Sequence, residues 1–233
     1  MMTVVTPIVY VLDADVLSRQ FLHTTVRQAG MRVRIAPTAS RFLEEYDPCT
    51  PGCIIADSHM PQLNSLALLG YLAEQKSPTP VIVVSSNADV ATATMAMRAG
   101  AIDVITKPMD PDHLLKSTEH AIAYDAKLRR GRSRITTIQS CIESLTPREF
   151  QVMELVVAGK STKMIAYILK ASARTIEVHR GRVMKKMKVD SIAELVLRAV
   201  ACGYAPTIDE QDIVTHEPVI VINTQSPMMI KSA

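Results

Sequence analysis

The sequence predicts a doubly wound α/β sheet of five parallel strands joined to a small all-α domain. Three observations carry that prediction. Short apolar runs alternate with helical periodicity over roughly the first 120 residues, as parallel βαβ units require. Beyond them the periodicity becomes purely helical. With 48% of 233 residues hydrophobic, the chain is long enough for two domains, each burying a core.

The strands fall at residues 8–12, 33–36, 53–56, 81–84 and 104–106, short and mostly apolar because helices cover both faces of such a sheet. Helices are expected over residues 16–29, closed by Gly30, and over 39–46, 65–74 and 90–99, the last closed by Gly100. A glycine just past a helix supplies the left-handed residue that ends it. A final helix runs from about Pro111 to Leu128, with Asp110 as N-cap and Pro111 in the first turn. The stretch RRGRSRITTIQSCI that follows is too short and polar to hold a core, and residues 126–143 read as a helical or basic linker.

Four helices follow the linker. Thr146-Pro147-Arg148-Glu149 is a capping box that opens a helix reaching Ala158 and closing at Gly159. Ser161 caps a second, to about Leu169, and Ser172 a third, to about Met187. Ser191-Ile192-Ala193-Glu194 is another capping box, opening a fourth helix to about Cys202. The expected organisation is therefore residues 1–125, 126–143, 144–202, and a Pro-punctuated tail, 203–233, to which no role is assigned.

Charge is unevenly placed. Residues 1–128 hold 10 Lys and Arg against 13 Asp and Glu, whereas residues 129–198 hold 15 against 6 and are net +9. A basic block of that size marks a polyanion-binding face, although a solvated basic face would give the same count. No stretch approaches about 18 apolar residues, and the first seven residues lack a basic run followed by an apolar one, so a soluble cytoplasmic protein is expected. The four cysteines, Cys49, Cys53, Cys141 and Cys202, lack the spacing of a zinc site or disulfide framework and are expected to be reduced thiols.

In an open parallel sheet, ligands sit beyond the carboxyl ends of the strands, where the order switches. With strand order 2-1-3-4-5, Asp13 and Asp57 end neighbouring strands, Ser85 ends the fourth, and Lys107, before Pro108, ends the fifth. Two carboxylates, a hydroxyl and an ammonium suit Mg²⁺ and a phosphoryl group, with one carboxylate as nucleophile. Spacing alone equally allows an ordinary set of polar strand ends.

The segments VYVLDAD, IIADSHMP, VIVVSS and AGAIDVITKP make residues 7–125 resemble a receiver domain, a flavodoxin-like fold. That resemblance implies Asp57 as the acceptor of a phosphoryl group from a sensor histidine kinase. It implies Lys107 as the phosphate-pairing lysine, Ser85 as the switch hydroxyl and Pro108 as a cis proline. It also implies Mg²⁺ held by Asp13, Asp57 and the backbone carbonyl of His59. Three positions depart from the pattern: Ala14 replaces the second of two adjacent acidic residues, Val104 an aromatic, and Ser65 a glycine. Mg²⁺ is then bound weakly, or with Asp15 recruited through water, and a receiver that works without phosphorylation is the alternative. A more distant resemblance, of Asp13-Ala14-Asp15 to the opening motif of haloacid-dehalogenase-like phosphatases, would make Asp13 a nucleophile. Those enzymes need a further acidic pair, for which only Asp89 is at hand.

The third helix of the second half, around SARTIEVHRGRVMKKMK, turns Ile176, Val183 and Met187 inward and Arg174, Glu177, Val178, Gly181, Arg182 and Lys185 outward. A small, polar and basic outer face suits the DNA major groove, and it equally suits a helix covering its own core. The run LTPREFQVMELVVAGKSTKMIAYILKASARTIEVHRGRVMKKMKVDS resembles the LuxR-type helix-turn-helix of NarL/FixJ response regulators, with Thr162 where asparagine is usual. The resemblance implies promoter DNA as partner, base reading by Glu177, Val178 and Gly181, and phosphate contacts from Lys163, Arg174, Thr175, Arg182 and Lys185. It also implies a homodimer on DNA through the last helix, contact with RNA polymerase, and no enzymatic activity of its own.

Overall fold

A computed structural model describes residues 6–86 and 90–204 and divides into two compact units, one ending at Arg134 and the other beginning at Ile135. The first is built on five parallel strands: β1 (Ile8–Leu12), β2 (Arg32–Ala36), β3 (Gly52–Asp57), β4 (Val81–Ser85) and β5 (Asp103–Thr106). Their order is β2-β1-β3-β4-β5, the topology expected from the sequence. Side chains alternate across the strands. Ile8, Tyr10 and Leu12 of β1 join Phe42 of α2 (Ala39–Glu45), Leu68 and Leu72 of α3 (Ser65–Glu74) and Ala96 of α4 (Val90–Arg98). Val9 and Val11 join Leu22 and Val26 of α1 (Val16–Gln28) and Leu114 and Ala121 of α5 (Pro111–Glu143) on the other face. Layers on both faces are why β1, β3 and β4 read as nearly unbroken apolar runs.

Register places the strand ends. Leu12 pairs with Ala36 on one side and Ala56 on the other, Asp57 with Val84, and Ser85 with Thr106. Asp13, Asp57, Ser85 and Lys107 thereby leave the sheet along a single edge. At the opposite end Gly52 faces Ile8 with φ of 150°, and a Cβ there would lie 1.8 Å from the Ile8 carbonyl oxygen, so only glycine permits the β1–β3 pairing.

The fifth helix departs from expectation. It does not stop near Leu128; it continues through the basic stretch to Glu143, 33 residues in all, and starts with Asp110 Oδ2 accepting from His113 N at 2.9 Å. Two features keep it helical. The Arg129 guanidinium is fixed on Asp125 (2.8 and 2.9 Å) and on the carbonyls of Pro48, Cys49 and Thr50, while buried Asp125 also accepts from Gly52 N at 2.9 Å. Further on, Ile138, Cys141 and Ile142 recur at helical spacing and pack into the core of the second unit. Polarity is thus the solvated face of a helix, and Gly131, worth about 1 kcal/mol against a helix, does not break it.

The second unit adds α6 (Pro147–Val157), α7 (Thr162–Ile168), α8 (Ala173–Met187) and α9 (Ile192–Ala201) around Val152, Met153, Ile165, Ile176, Val183, Met187 and Leu195. The Thr146–Glu149 capping box forms in both directions, Thr146 N to Glu149 Oε2 at 2.9 Å and Glu149 N to Thr146 Oγ1 at 3.3 Å. The second expected box forms by half. Ser191 Oγ accepts from Glu194 N at 3.1 Å, but Glu194 Oε2 reaches Asp190 N instead of the cap residue, because Arg198 holds its other oxygen at 2.7 Å. The tail beyond Tyr204, and Asp89, lie outside the described residues.

Candidate functional site

At the carboxyl edge of the sheet, Lys107 Nζ donates to Asp13 Oδ2 at 2.8 Å and to Asp57 Oδ2 at 2.5 Å, joining side chains that are 94 and 50 residues away in sequence. Asp13 is fully buried, whereas the side chains of Asp57 and Lys107 keep 15% and 17% of their exposure. Burial works to lower the ammonium's pKa, but the hydrogen bonds and charges of the two carboxylates outweigh it and hold Lys107 above the ordinary lysine value. The pocket is therefore an open-mouthed, charge-paired site rather than an isolated set of polar strand ends.

Each carboxylate has further donors. Asp57 Oδ1 accepts from His59 N at 2.7 Å. Asp13 Oδ1 accepts from Asp15 N at 2.8 Å, and its Oδ2 from Ser18 Oγ at 2.5 Å. Buried Ser85 accepts from Ser58 Oγ at 2.9 Å, which also shares a hydrogen bond with His59 Nδ1 at 2.7 Å, while the Ser85 carbonyl accepts from Lys107 N at 2.8 Å. The Lys107–Pro108 peptide is cis.

Ser18, Arg19 and Ser58 belong to this constellation and were not singled out from the sequence. Ser18 was legible, since Asp15-x-x-Ser18 is an N-cap pair for α1, with Ser18 N donating to Asp15 Oδ1 at 2.7 Å. Arg19 and Ser58 act through contacts that periodicity does not reveal. Asp15 caps α1 through one carboxylate oxygen, which ties that oxygen to the helix start rather than to the Asp13–Asp57 pocket.

The second candidate surface lies on α8. Ile176, Val183 and Met187 are buried, and Arg174, Thr175, Glu177, Val178, Gly181, Arg182 and Lys185 are all exposed, as is Lys163 on α7. Among the described residues Lys163, Arg174, Arg182 and Lys185 have no acidic partner, so their charges face solvent. Thr175 is tied to its helix start, its N–H donating to Ser172 Oγ at 3.0 Å. The α7–α8 turn passes through Lys170 at φ of 49°. Thr162, a departure from the LuxR pattern, accepts from Arg180 Nη1 and so binds α7 to α8. Arg148 similarly donates to the Leu169 carbonyl, fixing α6 against the end of α7.

Residues 9–119 match the response regulator receiver domain, and residues 143–199 match the bacterial regulatory proteins of the luxR family. The transcriptional regulatory protein FixJ of Bradyrhizobium diazoefficiens is 37% identical over 195 residues, which cover 84% of this chain and 95% of FixJ. The chain belongs to the NarL/FixJ family of response regulators. The response regulator protein TmoT of Ectopseudomonas mendocina is 35% identical over 189 residues, covering 81% and 86% of the two chains. The solved structure of the response regulator StyR superposes with a TM-score of 0.76 at 33% identity, covering 84% of this chain and 98% of that one. This response regulator accordingly couples a receiver to a LuxR-type DNA-binding domain and acts in transcription. Among its described residues, no helix is long and apolar enough to cross a membrane.

Receiver domains typically take Mg²⁺ at the phosphorylation site. The residues of this response regulator fit that ion poorly. Position 14 offers a methyl group, Asp15 is a helix cap, and both remaining carboxylates face Lys107. Among the described residues, no three His, Cys, Asp or Glu side chains are grouped to hold a metal. The thiols take no part: Cys49, Cys53, Cys141 and Cys202 are all free, and burial pushes Cys53 up to about 12.

Proposed function

We propose that a sensor histidine kinase transfers a phosphoryl group to Asp57, and that the phosphorylated chain binds promoter DNA as a homodimer and acts on transcription in the cytoplasm, with RNA polymerase as a further partner. The observation that carries this reading is Lys107 Nζ bridging Asp13 and Asp57 at 2.8 and 2.5 Å. An Asp57 oxygen forms the new bond to phosphorus as the phosphorus–nitrogen bond of phosphohistidine breaks, and its electron pair leaves with the imidazole. Lys107, already within reach, pairs with the phosphoryl oxygens, and Ser85 is the hydroxyl placed to follow them. Mg²⁺, expected on Asp13, Asp57 and the His59 carbonyl, would be weakly held, and none of these steps is routed through it.

On the DNA side, the exposed face of α8 enters the major groove with Glu177, Val178 and Gly181 against base edges. Lys163, Arg174, Thr175, Arg182 and Lys185 then hold phosphates. The homodimer would form through α9, where Leu197 is 71% exposed and Ile192 and Val200 are 45% and 46% exposed. Phosphorylation favours that state only through differential stability of the paired and unpaired forms.

Exposure to acetyl phosphate tests the acceptor. Label on the wild type and none on Asp57→Asn is expected; equal label on both refutes Asp57. A second reading, a receiver that works without phosphorylation, is favoured by Ala14 and by Val104, which puts no aromatic ring on β5 to follow Ser85. It predicts DNA affinity unchanged by Asp57→Asn and by acetyl phosphate.

A further inference from the structure

The second unit carries more positive charge than its own described acids pair. Residues 135–204 hold 11 Lys and Arg against 6 Asp and Glu, and the Glu149–Lys186 and Glu194–Arg198 pairs engage none of Lys163, Arg174, Arg182 and Lys185. On the outer face of α8, Arg174, Arg182 and Lys185 share the surface with a single carboxylate, Glu177. The neighbouring α7, tied to α8 through Thr162 and Arg180, exposes Met164, Tyr167 and Ile168 at helical spacing. Duplex DNA accounts for the cations and leaves that apolar stripe unexplained.

The chain itself holds a segment with the complementary pattern. Residues 205–217 contain Asp209, Glu210, Asp212 and Glu217 and no Lys or Arg, and after Pro218 comes the apolar run at 219–222. The segment starts next to Tyr204, whose ring meets Phe150 of α6 edge-on at 5.6 Å, so its origin is fixed on the body that carries α7 and α8. Asp209 and Glu217 lie 5 and 13 residues beyond Tyr204, a reach of at most about 18 and 45 Å. A body the size of residues 135–204 is on the order of 30 Å across, which puts the face of α8 within that reach.

We propose that the acidic segment 209–217 docks on the basic outer face of α8 in its own chain, with the 219–222 run on the α7 stripe, and so competes with DNA for that face. This rests on α8 as the DNA-binding helix. The carboxylates pair with the cations that otherwise hold phosphates, and the apolar run covers Met164, Tyr167 and Ile168. Tethering makes weak contacts sufficient. At an effective concentration on the order of 1 mM, a contact with a dissociation constant of about 0.1 mM is occupied about nine-tenths of the time. DNA then has to displace it, which weakens the apparent affinity about tenfold. Salt screens the pairing, so the competition fades as ionic strength rises.

The wild-type chain is compared with a chain ending at Tyr204 and with the full chain carrying Asp209→Asn, Glu210→Gln, Asp212→Asn and Glu217→Gln; neither change touches residues 6–204. Anisotropy with an unrelated duplex of about 20 base pairs is expected to show both variants binding about tenfold tighter than wild type at about 50 mM salt, and less than about twofold tighter at about 500 mM. Without DNA, a carbodiimide should join a carboxylate of residues 209–217 to Lys163 or Lys185 within one wild-type chain, read by mass after digestion of the monomer. Equal affinities at low salt overturn the proposal. Tighter binding by the variants without that cross-link overturns it as well, since diffuse repulsion of DNA by four carboxylates accounts for the gain. Cross-links found only between two copies, or only to lysines of the α/β unit, put the segment elsewhere and overturn it too. All three leave α8 standing as the DNA-binding helix. A chain ending at Tyr204 that binds no duplex fails the α8 reading itself, and this inference with it.

Discussion

Glu149→Gln isolates one buried charge in the DNA-binding unit. Glu149 is 3% exposed, receives Lys186 Nζ at 2.7 Å and Thr146 N at 2.9 Å, and these contacts hold its carboxyl at about 2, the Lys186 bond being the largest cause. Glutamine keeps the shape and can still accept from Thr146 N, so the substitution removes the ion pair and spares the cap. A shift from 4.5 to about 2 corresponds to roughly 3 kcal/mol, and the 35% exposure of the Lys186 side chain reduces the expected loss to about 2 kcal/mol at neutral pH. A folded-state pKa below the unfolded one contributes stability that is complete above the unfolded value and lost as pH falls through the folded one. The difference between wild type and Glu149→Gln should therefore persist from pH 7 to about pH 5 and shrink to less than half by about pH 3. Hydrogen exchange of the α6 and α8 amides in the full chain measures it without assuming that the whole molecule unfolds in one step. A loss below about 0.5 kcal/mol at pH 7, or the same loss at pH 7 and pH 3, would refute the argument.

Three further outcomes follow from particular contacts. Arg182→Ala and Lys185→Ala should each weaken binding to specific and unrelated DNA alike and reduce the slope of log affinity against log salt by about 0.9, measured by fluorescence anisotropy; an unchanged slope in both counts against the α8 assignment. Arg129→Gln should destabilise the α/β unit by about 3 kcal/mol in urea unfolding, since it leaves buried Asp125 without its counter-ion and frees three loop carbonyls. A loss under about 1 kcal/mol would show that the cluster is only a surface contact. Gly52→Ala should cost more than about 4 kcal/mol or abolish folding of that unit, because its Cβ would lie 1.8 Å from the Ile8 carbonyl oxygen; a folded, normally stable variant contradicts the strand pairing.

Much of the molecule was legible because it rests on local rules. Strand ends carrying Asp13, Asp57, Ser85 and Lys107 follow from apolar runs of known length, and the Thr146–Glu149 box follows from two residues three apart. Local pattern ends the fifth helix near Leu128 because a window of arginines, serines and threonines has no apolar face of its own. What keeps it helical is Arg129 bound to Asp125 and to the carbonyls of residues 48–50, together with Ile138 and Ile142 packed into a core assembled from α6, α8 and α9. The Ser191 box formed by half for a related reason: Arg198, one helical turn beyond Glu194, competes for its carboxylate.

By itself, then, the sequence determined the order and type of the elements, the basic block and the residues that leave the sheet along one edge, since propensity, patterning and capping act within a few positions of the chain. Only the tertiary structure decided that Lys107 bridges two carboxylates, and that Asp125 on α5 holds Gly52 N at the far end of the sheet. A charge has no fixed partner until packing brings residues 50 or more positions apart within 3 Å, so the sequence named the groups at the site while the fold set which of them are free to act.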